Sequence, residues 1–137
     1  MAASAIKNRV LGPRNVLERI SSAALSPGHI IEIVAAGTCK KSTLTANQPR
    51  YIALNDSGTG QAVGTAYGSG DRIKIGSFLP GDWVYVLCPT GLTITAEGVL
   101  YLDGAGRLTT VTTNAAFARA KEGATTSGDT LILVELL

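Results

Sequence analysis

Apolar and polar side chains alternate in short runs along most of this chain. Arg72-Ile73-Lys74-Ile75, Trp83-Val84-Tyr85-Val86 and Thr130-Leu131-Ile132-Leu133-Val134 carry the two-residue period and the β-branched or aromatic content of strands. Each follows a Gly-Asp pair: Gly70-Asp71, Gly81-Asp82 and Gly128-Asp129. Glycine accepts the positive backbone angles of a tight turn, and aspartate hydrogen-bonds nearby backbone. Further strands are predicted at His29–Val34, Arg50–Leu54, 72–78, 82–88, 92–95, 99–102, 107–112, 115–121 and 130–136. Asp103-Gly104-Ala105-Gly106 reads as a hairpin turn, Lys40-Lys41-Ser42-Thr43 as a polar turn, and Asn55–Gly70 as a glycine-rich loop. Short strands with turns every roughly 8–12 residues predict an all-β body, a small barrel or a sandwich, rather than alternating βα units.

Residues 1–28 break this pattern. Gly12-Pro13 interrupts any regular element and Ser26-Pro27-Gly28 closes the segment, while Val16, Leu17, Ile20 and Ala24 fall near helical spacing. The expectation is an extended N-terminal arm over 1–28 with at most a short helix, followed by a β body over 29–137. A helix this short does not stand alone.

Charge follows the same division. The arm carries Lys7, Arg9, Arg14 and Arg19 against Glu18 alone, whereas the remainder has nine acidic and eight basic side chains. A basic segment on a near-neutral body points to attachment to an acidic surface, a protein or a nucleic acid. Val10, Leu11, Val16, Leu17 and Ile20 give that arm apolar anchors as well. Only 16% of the chain is charged and 45% is hydrophobic, which suggests that another chain covers part of the surface. No apolar run approaches the roughly 20 residues of a membrane span, and Lys7 and Arg9 interrupt any leader-like stretch, so no membrane is expected and folding in a reducing cytoplasm is.

The chemistry-bearing residues are few. His29 is the single imidazole, and a nucleophile–base pair would need it beside Ser26, Cys39 or Cys88 with Glu32 as orienting carboxylate. Cys39 and Cys88 lack metal-ligand spacing and are either a disulfide pair or two buried free thiols. Gly58, Gly60 and Gly64 approximate a dinucleotide fingerprint with the last glycine one place late and no helix to follow, so no cofactor is expected. Asp71, Asp82 and Asp129 are explained as turn residues. The basic face of Arg72 and Lys74 lacks interleaved aromatics and belongs to a slightly acidic body, which argues against nucleic acid. No catalytic, cofactor or metal residue is therefore assigned. Trp83 and Tyr85 share a strand face opposite Val84 and Val86; if the valines point inward, the two aromatics are anchors for a partner.

Several longer segments resemble the capsid cement (decoration) proteins of tailed bacteriophages. They are Leu25-Ser26-Pro27-Gly28-His29-Ile30-Ile31-Glu32, Arg50-Tyr51-Ile52-Ala53-Leu54-Asn55-Asp56, Tyr67-Gly68-Ser69-Gly70-Asp71-Arg72-Ile73 and Pro80-Gly81-Asp82-Trp83-Val84. Leu102-Asp103-Gly104-Ala105-Gly106-Arg107-Leu108, Ala116–Glu122 and Leu131–Leu137 complete the set. The chain departs from the family at Ala96-Glu97-Gly98-Val99, where a Gly-Asp turn is more usual. The resemblance implies a small β-barrel or β-tulip-like protein, a homotrimer on the outside of a phage head. There it would bridge major capsid proteins against internal DNA pressure, after assembly in the host cytoplasm. Lys7, Arg9, Val10, Leu11, Arg14, Val16, Leu17, Arg19 and Ile20 would bind the capsid, and Trp83 and Tyr85 would serve the body or trimer contact. The alternative is another virion component, a tail or fibre-base or receptor-binding β module.

Overall fold

The structure, a computed structural model, describes Pro13 and residues 15–34, 37–46, 49–55 and 66–137. These residues form strands and turns throughout, as the alternation predicts. The first sheet has five strands in the order β2-β3-β1-β5-β4: Ile31–Ile33, Thr38–Lys41, Asn15–Ser21, Arg72–Ser77 and Tyr51–Ala53. The second, also of five, runs β6-β12-β10-β8-β9: Trp83–Cys88, Thr130–Leu136, Ala116–Ala120, Val99–Leu102 and Leu108–Thr109. A two-stranded ribbon joins β7 (Thr93–Ile94) to β11 (Ala124–Thr125).

Both sheets curl. The edge strands β6 and β9 of the second approach each other, as do β2 and β4 of the first. Each curl wraps its own core. Val86, Cys88, Leu100, Leu108, Phe117, Ile132, Val134 and Leu136 fill the second sheet, and Leu25, Ile31, Cys39, Ala53, Tyr67, Ile73 and Ile75 fill the first. The β5 pattern is obeyed strictly: Ile73 and Ile75 are fully buried, Arg72 is exposed and Lys74 is half-buried.

One segment stitches the two cores together. The Gly28 carbonyl accepts from Leu87 N–H of the second sheet, while Gly28 N–H donates to the Ala53 carbonyl of the first. Ile30 N–H donates to the Gly106 carbonyl, and Ile30 also bridges to Ile52. Because successive side chains point to opposite faces, Ile30 and Ile52 enter the larger core while their neighbours Ile31 and Ala53 enter the smaller. The apolar run Ile30-Ile31 is thus buried on both sides. Chain in this segment also fills the gap between β9 and β6, and the ion pair from Arg107 to Asp129 (3.0 Å) spans from the β8–β9 turn to the start of β12.

The division at residues 28 and 29 is corrected on two counts. Asn15–Ser21 is a strand rather than a helical turn, and it lies in the middle of the first sheet, antiparallel to β5 and parallel to β3. A two-turn helix would satisfy few of its own backbone groups, whereas a central strand is hydrogen-bonded on both sides. Of the expected arm, residues 1–12 and Arg14 lie outside the described residues. The polar turn read at Lys40–Thr43 is corrected as well: Thr38–Lys41 is strand β3, with its half-buried lysines at its end. The disulfide alternative is also excluded, since Cys39 and Cys88 are free and sit in different cores.

Two of the three Gly-Asp pairs build the same device. Asp71 Oδ2 accepts from Gly68 N–H at 2.7 Å, and Asp82 Oδ2 accepts from Leu79 N–H at 2.9 Å. The aspartate therefore reaches back three residues across the turn, with the intervening glycine at positive φ (Gly70 +88°, Gly81 +92°). Asp129 behaves differently and pairs with Arg107.

Candidate protein-interaction surfaces

The residues that could have carried catalysis are engaged in the fold. His29 is buried, and its Nδ1 accepts the Ser26 N–H at 2.9 Å. Burial first, then the Lys41 charge, pushes the imidazole below its ordinary pKa, with the Ser26 carbonyl and Asp129 opposing. Burial raises both thiols, that of Cys88 to about 12, aided there by the Asp103 and Asp129 charges. A thiol so placed is inert at neutral pH. Among the described residues, no group of three or more His, Cys, Asp or Glu is placed to hold a metal ion. No helix among them is long and apolar enough to cross a membrane. The Gly58–Gly64 stretch lies outside the described residues.

What the fold does present is two broad sheet faces. On the second sheet, cross-strand register lays out a row from Trp83 to Glu135 to Arg119 to Val99. Tyr85 lies opposite Leu133 in the adjacent row. The alternation expected for β6 holds: Val84 and Val86 are buried, Tyr85 is half-buried and Trp83 is 40% exposed. Lys121 gathers the row. Its Nζ lies 2.7 Å from Glu97 Oε2, 3.5 Å from Glu135 Oε1 and 5.0 Å from the centroid of the Trp83 ring. The hydrogen bond to Glu97 is the largest influence raising the Lys121 pKa, with both carboxylate charges adding to it against partial desolvation. Arg119 donates to the Glu97 carbonyl at 2.8 Å.

Glu97 is the conformational exception among the described residues. It is the single non-glycine residue with positive φ (+70°) among those described, in a turn closed by Gly98 N–H to the Thr95 carbonyl. That geometry ordinarily calls for glycine at this position. The left-handed region costs a side-chain-bearing residue about 1–2 kcal/mol. The strained turn falls at the place where the sequence departs from the cement-protein pattern.

On the first sheet, Val16, Glu18 and Ile20 share a face with Gly76, Lys74 and Arg72, their register partners on β5. Val16 is 53% exposed, and Arg72 approaches Glu18 at 3.8 Å. Leu17 turns the other way and packs on the smaller core. Arg19, half-buried, donates through Nη1 to the Glu18 carbonyl. The expected arm set is thus divided: Val16 and Ile20 lie on this face, Leu17 serves the fold, and Lys7, Arg9, Val10, Leu11 and Arg14 lie outside the described residues. Lys121, Glu97, Arg119 and Glu135 were not singled out from sequence. The odd Ala-Glu-Gly turn was the one available signal, because the four are brought together only by strand pairing.

No family model matches the chain, and no curated protein sequence matches it. Among solved structures, its fold is similar to that of the N base of the head fiber gp8.5 of bacteriophage phi29. The TM-score is 0.58 over 90% of this chain and 93% of that one, at 14% identity. A likeness at that identity is one of architecture. It sets this fold beside a head-fibre base, whereas the turn-and-strand motifs of the sequence resemble cement proteins.

Proposed function

We propose that this protein is a structural component of a phage virion, seated on the head as a fibre-base-type module that holds to the shell by protein contacts. The observation that carries the reading is the fold shared along nearly the whole chain with a head-fibre base. The cement-like order of motifs supports the same location on the head exterior. His29, the two thiols and the Gly-Asp carboxylates serve packing and turns, which fits a binding role and no turnover.

In this reading the module acts as a homotrimer on major capsid proteins. Lys7, Arg9 and Arg14 meet acidic shell surface while Val10 and Leu11 enter apolar grooves, and Val16 and Ile20 continue that contact from the first sheet. A segment that orders on docking loses conformational entropy. Three linked copies offset this, because each arm binds at the high effective concentration set by the others. A bare cement role, clamping neighbouring shell subunits with nothing mounted above, is the second reading, favoured by the motif resemblance.

Removal of residues 1–12 tests the attachment. The truncated chain is expected to fold normally by circular dichroism and to lose occupancy on purified heads, counted by sedimentation with the shells. Full occupancy of the truncated protein would overturn the arm contact. Electron microscopy of decorated heads separates the two readings: a fibre rising from the bound module supports the base, a flush cap the cement.

A further inference from the structure

We infer that the open edge of β1, at Val16 and Glu18, takes up an extended acidic segment of another protein as an added strand. This rests on the attachment to a shell proposed above and names how that contact is made. The direction of the backbone groups carries it. Ser21 N–H donates to the Asp71 carbonyl, and the β1–β5 register continues from Ile20 opposite Arg72 to Asn15 opposite Ser77. Backbone groups of successive residues in an antiparallel pair point to opposite sides. Arg19, Leu17 and Asn15 therefore bond to β5, while Ile20, Glu18 and Val16 point away from it. The far side of β5 agrees: Phe78 N–H donates to the Arg50 carbonyl and Leu54 N–H to the Lys74 carbonyl, which turns Lys74, Gly76 and Phe78 toward β4.

On the side away from β5, β3 meets β1 only at Ile20 and Ser21. Among the described residues, the Val16 N–H, the Val16 carbonyl and the Glu18 N–H thus have no strand to pair with, and the Glu18 carbonyl is taken by the Arg19 guanidinium at 2.8 Å. Val16, on this edge, is 53% exposed. A row of backbone donors and acceptors beside an exposed β-branched side chain is what an incoming strand pairs with.

Charge selects the occupant. Arg19 lies on the edge itself, and β5 adds Arg72 and Lys74, against Glu18 as the one anion of these two strands. A second copy pairing β1 to β1 brings these cations onto each other, and residues 1–12, with Lys7 and Arg9, bring more. An extended segment carrying carboxylates gains from the same charges and draws the guanidinium off the Glu18 carbonyl onto its own side chains. The basic residues 7–14 directly precede β1, so one acidic segment can run along both.

Amide hydrogen exchange of the full chain is the first test. Val16 and Glu18 should exchange at least tenfold faster than Leu17 and Arg19; equal protection means that the edge is already covered and overturns the proposal. The probe for occupancy is an end-blocked hexapeptide of alternating glutamate and valine. It should protect Val16 and Glu18, and bind at least tenfold more tightly than its lysine–valine counterpart or than the same peptide N-methylated throughout. Equal binding of the three, or none by the first, overturns the proposal. Val16→Pro removes an edge N–H that no bond to β5 uses, and proline is tolerated at such positions. It should melt near wild type while peptide binding and head occupancy each fall at least tenfold, and Val16→Thr, which keeps the N–H, should retain both. Undiminished occupancy by folded Val16→Pro overturns the edge contact; should that variant fail to fold, the N-methylated peptide decides. A wild type that binds the peptide yet ignores heads would instead count against the virion reading alone.

Discussion

Asp71 and Asp82 occupy the same local turn, but burial separates what they are worth. Asp82 is 2% exposed and its carboxylate satisfies the Leu79 N–H, while its own carbonyl accepts from Leu136 N–H. Asp82→Ala removes the buried acceptor of the Leu79 N–H and is expected to cost about 1–3 kcal/mol in urea unfolding. Asp71 is exposed, water can replace its carboxylate at Gly68, and Asp71→Ala is expected to cost less than about 1 kcal/mol. Gly28 is more demanding than either. Its φ is +97°, and an added Cβ would overlap Leu131 and crowd Leu87. Gly28→Ala is expected to lower stability by about 2–4 kcal/mol, from left-handed strain and overpacking together. His29 supplies a pH signature. Its folded pKa lies below the unfolded value of 6.5, so the unfolded chain binds more protons between the two. Stability is complete above 6.5 and is lost as pH falls through the lower folded value. Melting temperature measured from pH 7.5 downward should decline in that window, and His29→Gln should flatten the decline.

At the scale of elements, β1 decides where the body begins. It is hydrogen-bonded between β3 and β5, and its Leu17 packs on the smaller core. Loss of β1 exposes a strand edge on each side and opens that core. Deletion of residues 1–24 is therefore expected to unfold the first sheet, seen as lost far-ultraviolet β signal, whereas deletion of 1–12 spares it. The seam Gly28–Ile30 has comparable weight, since it supplies backbone partners to both sheets at once. Ile30→Ala there is expected to cost about 2–5 kcal/mol, as for other fully buried isoleucines, and to loosen both cores in a single transition by calorimetry.

At the scale of the molecule, two curled sheets with separate cores are fused through one shared strand segment, leaving a broad outer face on each. The first-sheet face carries Arg72 and Lys74 beside Glu18, and the basic residues 7–14 adjoin it in sequence. The second-sheet face mixes both signs around Trp83. Attachment of the module to heads through the basic segment should weaken as ionic strength rises from about 0.05 to 0.5 M, because exposed charges are screened beyond a Debye length near 10 Å at 0.1 M. A salt titration of head occupancy checks this outcome.

How much of this was legible in advance depends on the range of the interaction involved. Strand periodicity at 72–78, 82–88, 99–102 and 130–136, the Asp103–Gly106 hairpin turn and the outward placement of Trp83 followed from residues a few positions apart, whose spacing alone determines which face each side chain takes. Features that depend on distant parts of the chain were different. Asn15–Ser21 has no intrinsic signal strong enough to choose strand over helix, and became a strand because β3 and β5 each offered it an edge. Lys40 and Lys41 read as a turn because lysine is a poor strand former; pairing with Ile31 and Glu32 overrode that preference. The Trp83–Lys121–Glu97–Glu135 grouping draws on four separate stretches of chain, and no local rule relates them. Period-two patterning states that a face exists; only the closure of distant strands, whose register depends on every turn between them, states what meets on it.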